Sequence, residues 1–190
     1  MTIISKIKAI NLLLFFVLGC NFFTFAQNTT INNLKLVFIR HAEKPEKGDN
    51  LTCQGLNRAL LLPKLLKDKF GIPAFIFVPS LGLGESTKHA RMFETIAPFA
   101  MKYNLAINTS HREKDSIAMA TDLKSKNGTI LIVWEHKAIL PIIRALGVDA
   151  PGLNWSDDDY DSIWIVTFKD GAAVLTKEKE GLTPSADCKF

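Results

Sequence analysis

Two histidines, His41 and His136, each follow a stretch of sequence with the pattern of a buried β-strand. The apolar run at residues 34–39 ends at Arg40-His41, and the run at 129–134 leads to Glu135-His136. Histidine can act as a nucleophile or exchange protons near neutral pH, and arginine presents a planar fork of N–H donors that matches phosphate oxygens. The pattern therefore predicts a catalytic site for a substrate that carries a phosphate-like group.

The rest of the sequence alternates short apolar runs with longer stretches of helical periodicity. This alternation predicts an α/β fold, a three-layer sandwich with a mostly parallel central sheet. Parallel strands end at one edge of the sheet, so His41 and His136 are expected in one crevice. The predicted strands are residues 34–39, 74–78, 105–107 and 129–134, the predicted helices are 52–70, 86–102, 115–126 and 137–146, and a hairpin joins 163–168 to 172–175.

Four pieces of the chain, in order, resemble motifs of the histidine phosphatase superfamily, the phosphoglycerate-mutase-like proteins. Residues 37–43 resemble its strand and Arg-His-Gly motif, with Ala42 in place of the glycine, and residues 51–59 resemble its Leu-Thr-x-x-Gly-x-x-x-Ala segment. Residues 91–95 resemble its Arg-x-x-x-Thr helix start, and His136 stands where the family has its second histidine. The resemblance implies the phosphoglycerate-mutase-like fold in a minimal form without a large cap domain.

The resemblance also implies a role for each matched residue. His41 is the nucleophile that forms a transient phosphohistidine, and Arg40, Arg91 and His136 hold the phosphate and its developing charge. Lys44 stands where some members have a second motif arginine, so it either adds a phosphate contact or is a plain surface lysine. No cofactor and no metal ion is expected. These residues predict a histidine acid-type phosphatase, a phosphoric monoester hydrolase.

Three glutamates are candidates for the residue that donates a proton to the leaving oxygen. Lys137 stands where one branch of the family has an acidic donor, so the mechanism of that branch does not transfer. The other branch has a glutamate in the loop before the second histidine, which makes Glu113 the first candidate. Glu135 is the second, although successive strand residues point to opposite faces. Glu43 is the third, and its expected task is to orient the loop or to pair with Lys44.

Other polar residues carry weaker expectations. His89 and His111 lack a supporting motif, and both are expected to be exposed. The acidic run at residues 157–161 is expected to cap the final strands or to be solvated, with a cation site or a rim that excludes substrates as the alternative. Cys53 and Cys188 either form a disulfide or remain as two thiols.

Residues 1–26 have the layout of a secretory signal peptide, with two lysines before an apolar run, no acidic residue, and Thr24 and Ala26 at a cleavage site. Alternatively, a lipobox ends at Cys20, and a lipid there is the one membrane contact that we expect. Removal of this segment lowers the formal charge from +4 to +2, because two lysines are lost. A nearly neutral single domain at residues 27–190 does not favour nucleic-acid binding. The protein is therefore expected outside the cytoplasm, secreted or periplasmic.

The predicted function is hydrolysis of a phosphomonoester through a phosphohistidine, on a phosphorylated small molecule or envelope sugar outside the cytoplasm. Three alternatives stay open. An exported protein or lipoprotein could bind a phosphorylated ligand with weak catalysis, or a mutase could use the same residues. A metal hydrolase could use His41, Glu43, Glu135 and His136 as ligands, although neither pair has the helical His-x-x-x-His spacing.

Overall fold

The computed structural model describes residues 33–82 and 89–188, and within them the chain forms six strands and four helices. In chain order they are β1 Leu34–Arg40, α1 Cys53–Phe70, β2 Phe75–Phe77, α2 Ala90–Tyr103, β3 Ile107–Asn108, α3 Ser116–Lys124, β4 Gly128–Trp134, α4 His136–Leu146, β5 Ser162–Lys169 and β6 Ala172–Lys179. The predicted signal peptide and the alternative lipid site at Cys20 lie outside the described residues. No helix in the described part of the chain is long and apolar enough to cross a membrane.

The six strands form one sheet in the order β3-β2-β4-β1-β5-β6. The first four of these are mutually parallel, and β5 and β6 extend the sheet in antiparallel fashion. In the central pair, Arg40 of β1 lies in register with Trp134 of β4. Because these two strands end at the same level, the residues that follow them, His41 and Glu135-His136, reach the same edge of the sheet.

Side-chain alternation along the strands gives the sheet two apolar faces. In β1, Leu36 and Phe38 pack toward α3 and α4, whereas Val37 and Ile39 pack toward α1 and α2. All four side chains are fully buried. A continuous apolar run is what a central strand needs when helices cover both of its faces. The predicted fold class, a three-layer α/β sandwich with a mostly parallel sheet, is confirmed.

Capping residues set the helix boundaries. The helix α1 begins after Thr52, whose side-chain oxygen accepts a hydrogen bond in the first turn, and ends at Gly71, as predicted. The sequence pattern predicts a start at residue 86 for α2, but the helix begins at Ala90. His89 takes the left-handed backbone conformation (φ 59°), which a right-handed helix cannot include.

The helix α4 begins one residue earlier than predicted, at His136. Glu135 is its N-cap, and the Glu135 carboxylate accepts a hydrogen bond from the Ala138 N–H at 3.1 Å. Glu135 therefore belongs to the helix start rather than to β4. The expectation that strand alternation turns the Glu135 side chain away from His136 does not apply.

A disulfide between Cys53 and Cys188 ties the C-terminal segment to the first turn of α1, with a Cα–Cα distance of 5.0 Å. The side chain of Asn57, one turn further along α1, donates to the carbonyl oxygens of Ser185 (2.8 Å) and Asp187 (2.9 Å). Of the two alternatives for the cysteines, the structure has the disulfide.

Candidate active site

His41 lies at the end of β1 with only 2% of its surface exposed. Its backbone N–H donates to the Trp134 carbonyl at 3.2 Å, which joins the ends of β1 and β4. The ring atom Nδ1 lies 2.7 Å from the Ala42 carbonyl oxygen. Because a carbonyl oxygen can only accept, Nδ1 carries the proton and Nε2 keeps its lone pair.

The charge state of His41 follows from its surroundings. Burial lowers the pKa of His41 to about 4, and the positive charges of Arg40, Arg91 and His136 act in the same direction, against the hydrogen bond to Ala42. The ring is therefore neutral near pH 7. A neutral imidazole with a free Nε2 among cations can attack an electrophile that carries negative charge.

The loop that follows His41 is fixed from two sides, and each contact explains one sequence motif. Ala42 N–H donates to Thr95 Oγ1 at 2.9 Å, and the same hydroxyl donates to the Arg91 carbonyl one turn earlier at 2.6 Å. The Arg-x-x-x-Thr spacing thus joins α2 to the loop after the histidine.

The second contact joins this loop to α1. The Glu43 carbonyl accepts from Thr52 N–H at 2.9 Å and from Thr52 Oγ1 at 3.2 Å. A Cβ atom at Gly55 would lie well inside contact distance of the Glu43 carbonyl oxygen, so only glycine permits this approach. The Leu-Thr-x-x-Gly segment is therefore a docking surface for the loop.

Arg40 is a buried cation next to His41, with 3% of its surface exposed. Its Nη1 atom donates to the Asp157 carbonyl at 2.5 Å and lies 3.5 Å and 3.4 Å from the Ser156 and Asp159 carbonyl oxygens. Its guanidinium stacks 3.9 Å from the ring centre of Tyr160. Burial lowers the pKa of Arg40, and the surrounding negative groups oppose that shift.

Arg91 lies in the first turn of α2 and faces the loop that follows β1. Its Nη2 atom donates to the Gly48 carbonyl and lies 3.9 Å from Asp49 Oδ1. Asp49 is 73% exposed at its side chain, so this distant pair is solvent-screened and contributes little. The guanidinium of Arg91 is therefore held by a carbonyl oxygen and an exposed carboxylate rather than by a buried one.

His136, the first residue of α4, lies between two carboxylates. Its Nε2 atom is 2.6 Å from Asp157 Oδ1, and its Nδ1 atom is 2.7 Å from Glu135 Oε1, the latter without hydrogen-bond geometry. The hydrogen bond with His136, with help from Lys137, lowers the pKa of Asp157. Asp157 is 68% exposed at its side chain, so its contact with His136 faces solvent.

Three buried side-chain nitrogens in the described part of the chain have no hydrogen-bond partner. They are Nε of Arg40, Nε of Arg91 and Nδ1 of His136. Buried polar groups are nearly always paired in folded proteins, so each exception requires an explanation. All three exceptions belong to residues near His41 whose positive charge, together with burial, acts to lower its pKa. The Glu135 carboxylate already lies 2.7 Å from Nδ1 of His136, so the two arginine Nε atoms are the donors left without a partner beside the His41 ring.

An open pocket of about 410 Å³ lies over His41. It is lined by His41, Asp49, His89, Arg91, Met92, Glu113 and Glu135. A second pocket, of about 530 Å³, has His136 and Asp157 among its lining residues. The structure thus brings together five predicted residues: His41, Arg40, Arg91, His136 and Glu113.

Lys44 is not part of this arrangement. Its side chain is exposed, and it does not line the pocket over His41. Glu43, the third acid candidate, is also occupied elsewhere, because both of its carboxylate oxygens accept from Arg58 at 2.8–3.0 Å. The expected pairing of Glu43 with Lys44 is therefore wrong. The expected role of Glu43 in orienting the loop agrees with its contacts to Arg58.

Glu113 and Glu135 both line the pocket, but they make different contacts. Glu135 caps α4 and faces His136, so its two oxygens have structural partners. Glu113 is 16% exposed at its side chain, and its Oε2 atom lies 2.7 Å from Nδ1 of His89. Both carboxylates thus lie beside a histidine, but the Glu113 carboxylate does not cap a helix, and its histidine lines the pocket over His41.

The expectation that His89 and His111 are simply exposed is wrong. His89 lines the pocket and pairs with Glu113, whereas His111 is 15% exposed and pairs with Asp122 at 3.0 Å. One sequence signal could have indicated that His89 lies near the site, because it precedes Arg91 by two residues at the start of α2. No sequence pattern indicated that Asp157 contacts His136, because the contact depends on the fold of residues 156–160.

The acidic run mostly caps the last two strands, as expected. The Asp159 carboxylate accepts from the N–H groups of Asp161 and Ser162 at 3.0 and 2.9 Å, and the Asp161 carboxylate accepts from the Gly181 N–H at 2.8 Å. Within residues 33–82 and 89–188, no group of three or more His, Cys, Asp or Glu side chains is arranged to hold a metal ion.

No protein-family model and no curated protein matches the sequence, but solved structures match the fold. A variant of phosphoserine phosphatase from Entamoeba histolytica, solved with phosphoserine, has a TM-score of 0.55 at 17% identity over 78% of this chain and 97% of that one. A structure of the same phosphatase with 3-phosphoglyceric acid has a TM-score of 0.56 at 18% identity over 75% of this chain and 95% of that one. The protein histidine phosphatase SixA, solved with tungstate, has a TM-score of 0.54 at 14% identity over 77% of this chain and 97% of that one.

These likenesses define the fold. The chain has the fold of the histidine phosphatases, and the architecture that its sequence motifs imply is confirmed.

Proposed function

We propose that the protein is a phosphomonoester phosphatase that works through a phosphohistidine at His41. One observation carries the proposal: Arg40 and Arg91 each keep a buried Nε without a partner next to a neutral and buried His41, and His136 lies beside them. A phosphoryl group has three equatorial oxygens that need positive charge and N–H donors in the transition state. The three residues supply both at the place where His41 attacks.

In the first half-reaction the substrate phosphate binds among these cations. Nδ1 of His41 is held by the Ala42 carbonyl, so Nε2 is the atom that attacks the phosphorus, in line with the leaving oxygen. The phosphorus–nitrogen bond forms while the phosphorus–oxygen bond to the leaving alcohol breaks. Asp157 stands where a phosphate oxygen would approach Nε2 of His136, and its exposed side chain can yield this position to the substrate.

The second half-reaction hydrolyses the phosphohistidine. Water attacks the phosphorus, the phosphorus–nitrogen bond breaks, and His41 returns to its neutral form with inorganic phosphate as the product. Division of one difficult displacement into two easier ones is the gain from covalent catalysis. The low pKa of His41, about 4, keeps Nε2 unprotonated and ready for the next cycle.

The substrate proposed is a phosphorylated small molecule or envelope sugar outside the cytoplasm. The signal-peptide pattern of residues 1–26 and the disulfide between Cys53 and Cys188 support this location, since disulfides persist in oxidising compartments. Phosphoserine and 3-phosphoglyceric acid, bound by the similar Entamoeba histolytica structures, and phosphohistidine in a protein are the first substrates to assay.

The test is hydrolysis of a nitrophenyl phosphate by the disulfide-bonded protein, with His41→Ala as the comparison. We expect turnover by the wild type, resistance of that turnover to a chelator, and an acid-labile, base-stable phosphoryl label that requires His41. Turnover that survives His41→Ala would contradict the mechanism. Tight binding of inorganic phosphate without turnover would instead indicate a protein that only binds phosphorylated ligands, and inhibition by a chelator would favour a metal hydrolase.

A further inference from the structure

Phosphate-ester cleavage requires a proton on the leaving oxygen, and Glu113 has a partner that bears on this step. The Glu113 carboxylate lies 2.7 Å from Nδ1 of His89, and both side chains line the pocket over His41. The pair has the distance of an ion pair without hydrogen-bond geometry, and a carboxylate this close to one nitrogen of an imidazole favours the proton on that nitrogen. The other nitrogen, Nε2 of His89, is then the atom that can exchange a proton with a bound substrate.

The position of Glu113 is set by the central sheet. Trp134, fully buried at the end of β4, donates from Nε1 to the Glu113 carbonyl at 2.9 Å. The next residues in the chain are Glu135 and His136, so one strand end positions both the phosphate site and the Glu113 backbone. Glu113 is thus placed well as an orienting group.

The position of His89 is set by an unusual backbone. His89 has φ 59° and ψ 21°, in the left-handed region that residues other than glycine rarely adopt. Such conformations persist where the surrounding structure enforces them, and they are concentrated at functional sites. The turn at His89 leads directly into α2, so it places the imidazole two residues before the phosphate-site residue Arg91.

We propose that His89 is the general acid and base of the reaction and that Glu113 is its positioning residue. This inference rests on the proposed phosphatase function, and it assigns delivery of the proton to His89 instead of Glu113. As His41 attacks, the phosphorus–oxygen bond breaks and Nε2 of cationic His89 gives its proton to the leaving oxygen. Neutral His89 then takes a proton from the attacking water while the phosphorus–nitrogen bond to His41 breaks, which regenerates both histidines.

The dependence of rate on the leaving group tests this assignment. A missing general acid matters most for an alkyl phosphate, whose leaving oxygen is strongly basic, and least for a nitrophenyl phosphate. For His89→Asn, which tolerates the left-handed backbone, we expect kcat/KM to fall by roughly 10²–10⁴ on an alkyl phosphate. The nitrophenyl rate should change by less than about tenfold, since its leaving group needs little protonation.

Chemical rescue provides a second measurement. His89→Gly relieves the left-handed backbone and leaves space where the imidazole was. Added imidazole should restore alkyl-phosphate hydrolysis by this variant but should not rescue His41→Ala in the same way. For Glu113→Gln we expect a smaller loss that falls on kcat rather than KM and is again larger on the alkyl phosphate than on the nitrophenyl phosphate, because the orienting carboxylate is lost.

His111→Asn is the matched control, because His111 also pairs with a carboxylate, that of Asp122, but does not line the pocket over His41. Equal losses by His89→Asn on both substrates, or a leaving-group-dependent loss in Glu113→Gln without one in His89→Asn, would overturn the assignment of His89. Loss of activity on both substrates in His41→Ala alone would leave the phosphatase function standing. A wild type inactive on both substrates would overturn the phosphatase function together with this inference.

Discussion

Two sets of arginines lie near the loop that carries His41, and they differ in how their N–H donors are paired. On one side, every side-chain nitrogen of Arg58 donates to a carboxylate, with Nε and Nη2 bound to Glu43 at 2.8–3.0 Å and Nη1 bound to Glu180 at 2.5 Å. On the other side, Arg40 and Arg91 each bind backbone carbonyls and keep a buried Nε without a partner.

The contrast separates a structural cation from a binding cation. Arg58 neutralises carboxylates and fixes the loop through Glu43, so its positive charge is fully paired within the fold. The charges of Arg40 and Arg91 are held in place by carbonyl dipoles, which position a guanidinium without neutralising it. Burial lowers the pKa of His41, and this positive charge acts in the same direction; under the proposed function it is also the charge that a phosphate meets.

The nucleophile should give the largest effect. We expect His41→Ala to lower kcat/KM by roughly 10⁴ or more, because loss of a covalent nucleophile removes the pathway and not one contact. Steady-state hydrolysis of a nitrophenyl phosphate and the absence of the acid-labile label measure this. An unchanged thermal midpoint would show that the loss is chemical.

Removal of the structural cation should affect stability instead. In Arg58→Met the carboxylates of Glu43 and Glu180 lose their partner, and we expect a loss of about 3–5 kcal/mol in the free energy of unfolding. Denaturant titration measures it. The triple variant with Glu43→Gln and Glu180→Gln as well should recover much of that loss, because no buried charge is left unpaired. A single variant with normal stability would contradict the contrast between the two groups.

Removal of Arg91 should lower activity and leave the free energy of unfolding nearly unchanged. We expect Arg91→Ala to lower kcat by about 10²–10³, the usual effect of one donor to a developing oxyanion, with little change in unfolding free energy. Weaker inhibition by inorganic phosphate should accompany the loss. An Arg91 variant that is unstable but fully active when folded would mean that Arg91 is a structural cation like Arg58.

The two sides should also respond to pH with opposite signs. His41 is protonated less readily when folded (pKa about 4) than when unfolded, so its contribution to stability is present above pH 6.5 and is lost as the pH falls toward 4. Burial, aided by Asp161 and Glu43 and opposed by Arg58, raises the pKa of Glu180 to about 7. The Glu180 contribution is therefore present below pH 4.5 and is lost as the pH rises toward 7.

Unfolding measured between pH 4 and 7.5 in two variants separates these contributions. Stability of His41→Gln should fall with rising pH, and stability of Glu180→Gln should rise with it, each by up to about 3 kcal/mol. Parallel curves for both variants and the wild type would mean that neither side chain titrates differently in the folded state.

The smallest effect is expected at Lys44. Its exposed side chain lies outside the residues that line the pocket, so Lys44→Ala should change kcat/KM by less than about twofold. A tenfold loss would mean that the loop brings Lys44 to the phosphate, as the family resemblance implies.

Much of the fold follows from local sequence. The apolar run at β1, the Thr52 and Gly71 caps of α1 and the strand that ends before His136 are set by side-chain periodicity and capping chemistry, which act over a few residues. The same local patterns place His41 and His136 at strand ends. Their order along the chain was sufficient to predict the three-layer α/β fold.

Tertiary structure decided which partner each polar group has. Glu113 with His89, His136 with Asp157 and Arg58 with Glu180 are pairs whose members are 24, 21 and 122 residues apart, and their contacts depend on how strands and loops pack. Sequence periodicity shows which face a residue occupies, not which charge lies opposite it. For this protein the sequence determined that His41 lies at the end of a central strand, and only the packed structure decided which arginine donors beside it remain without a partner.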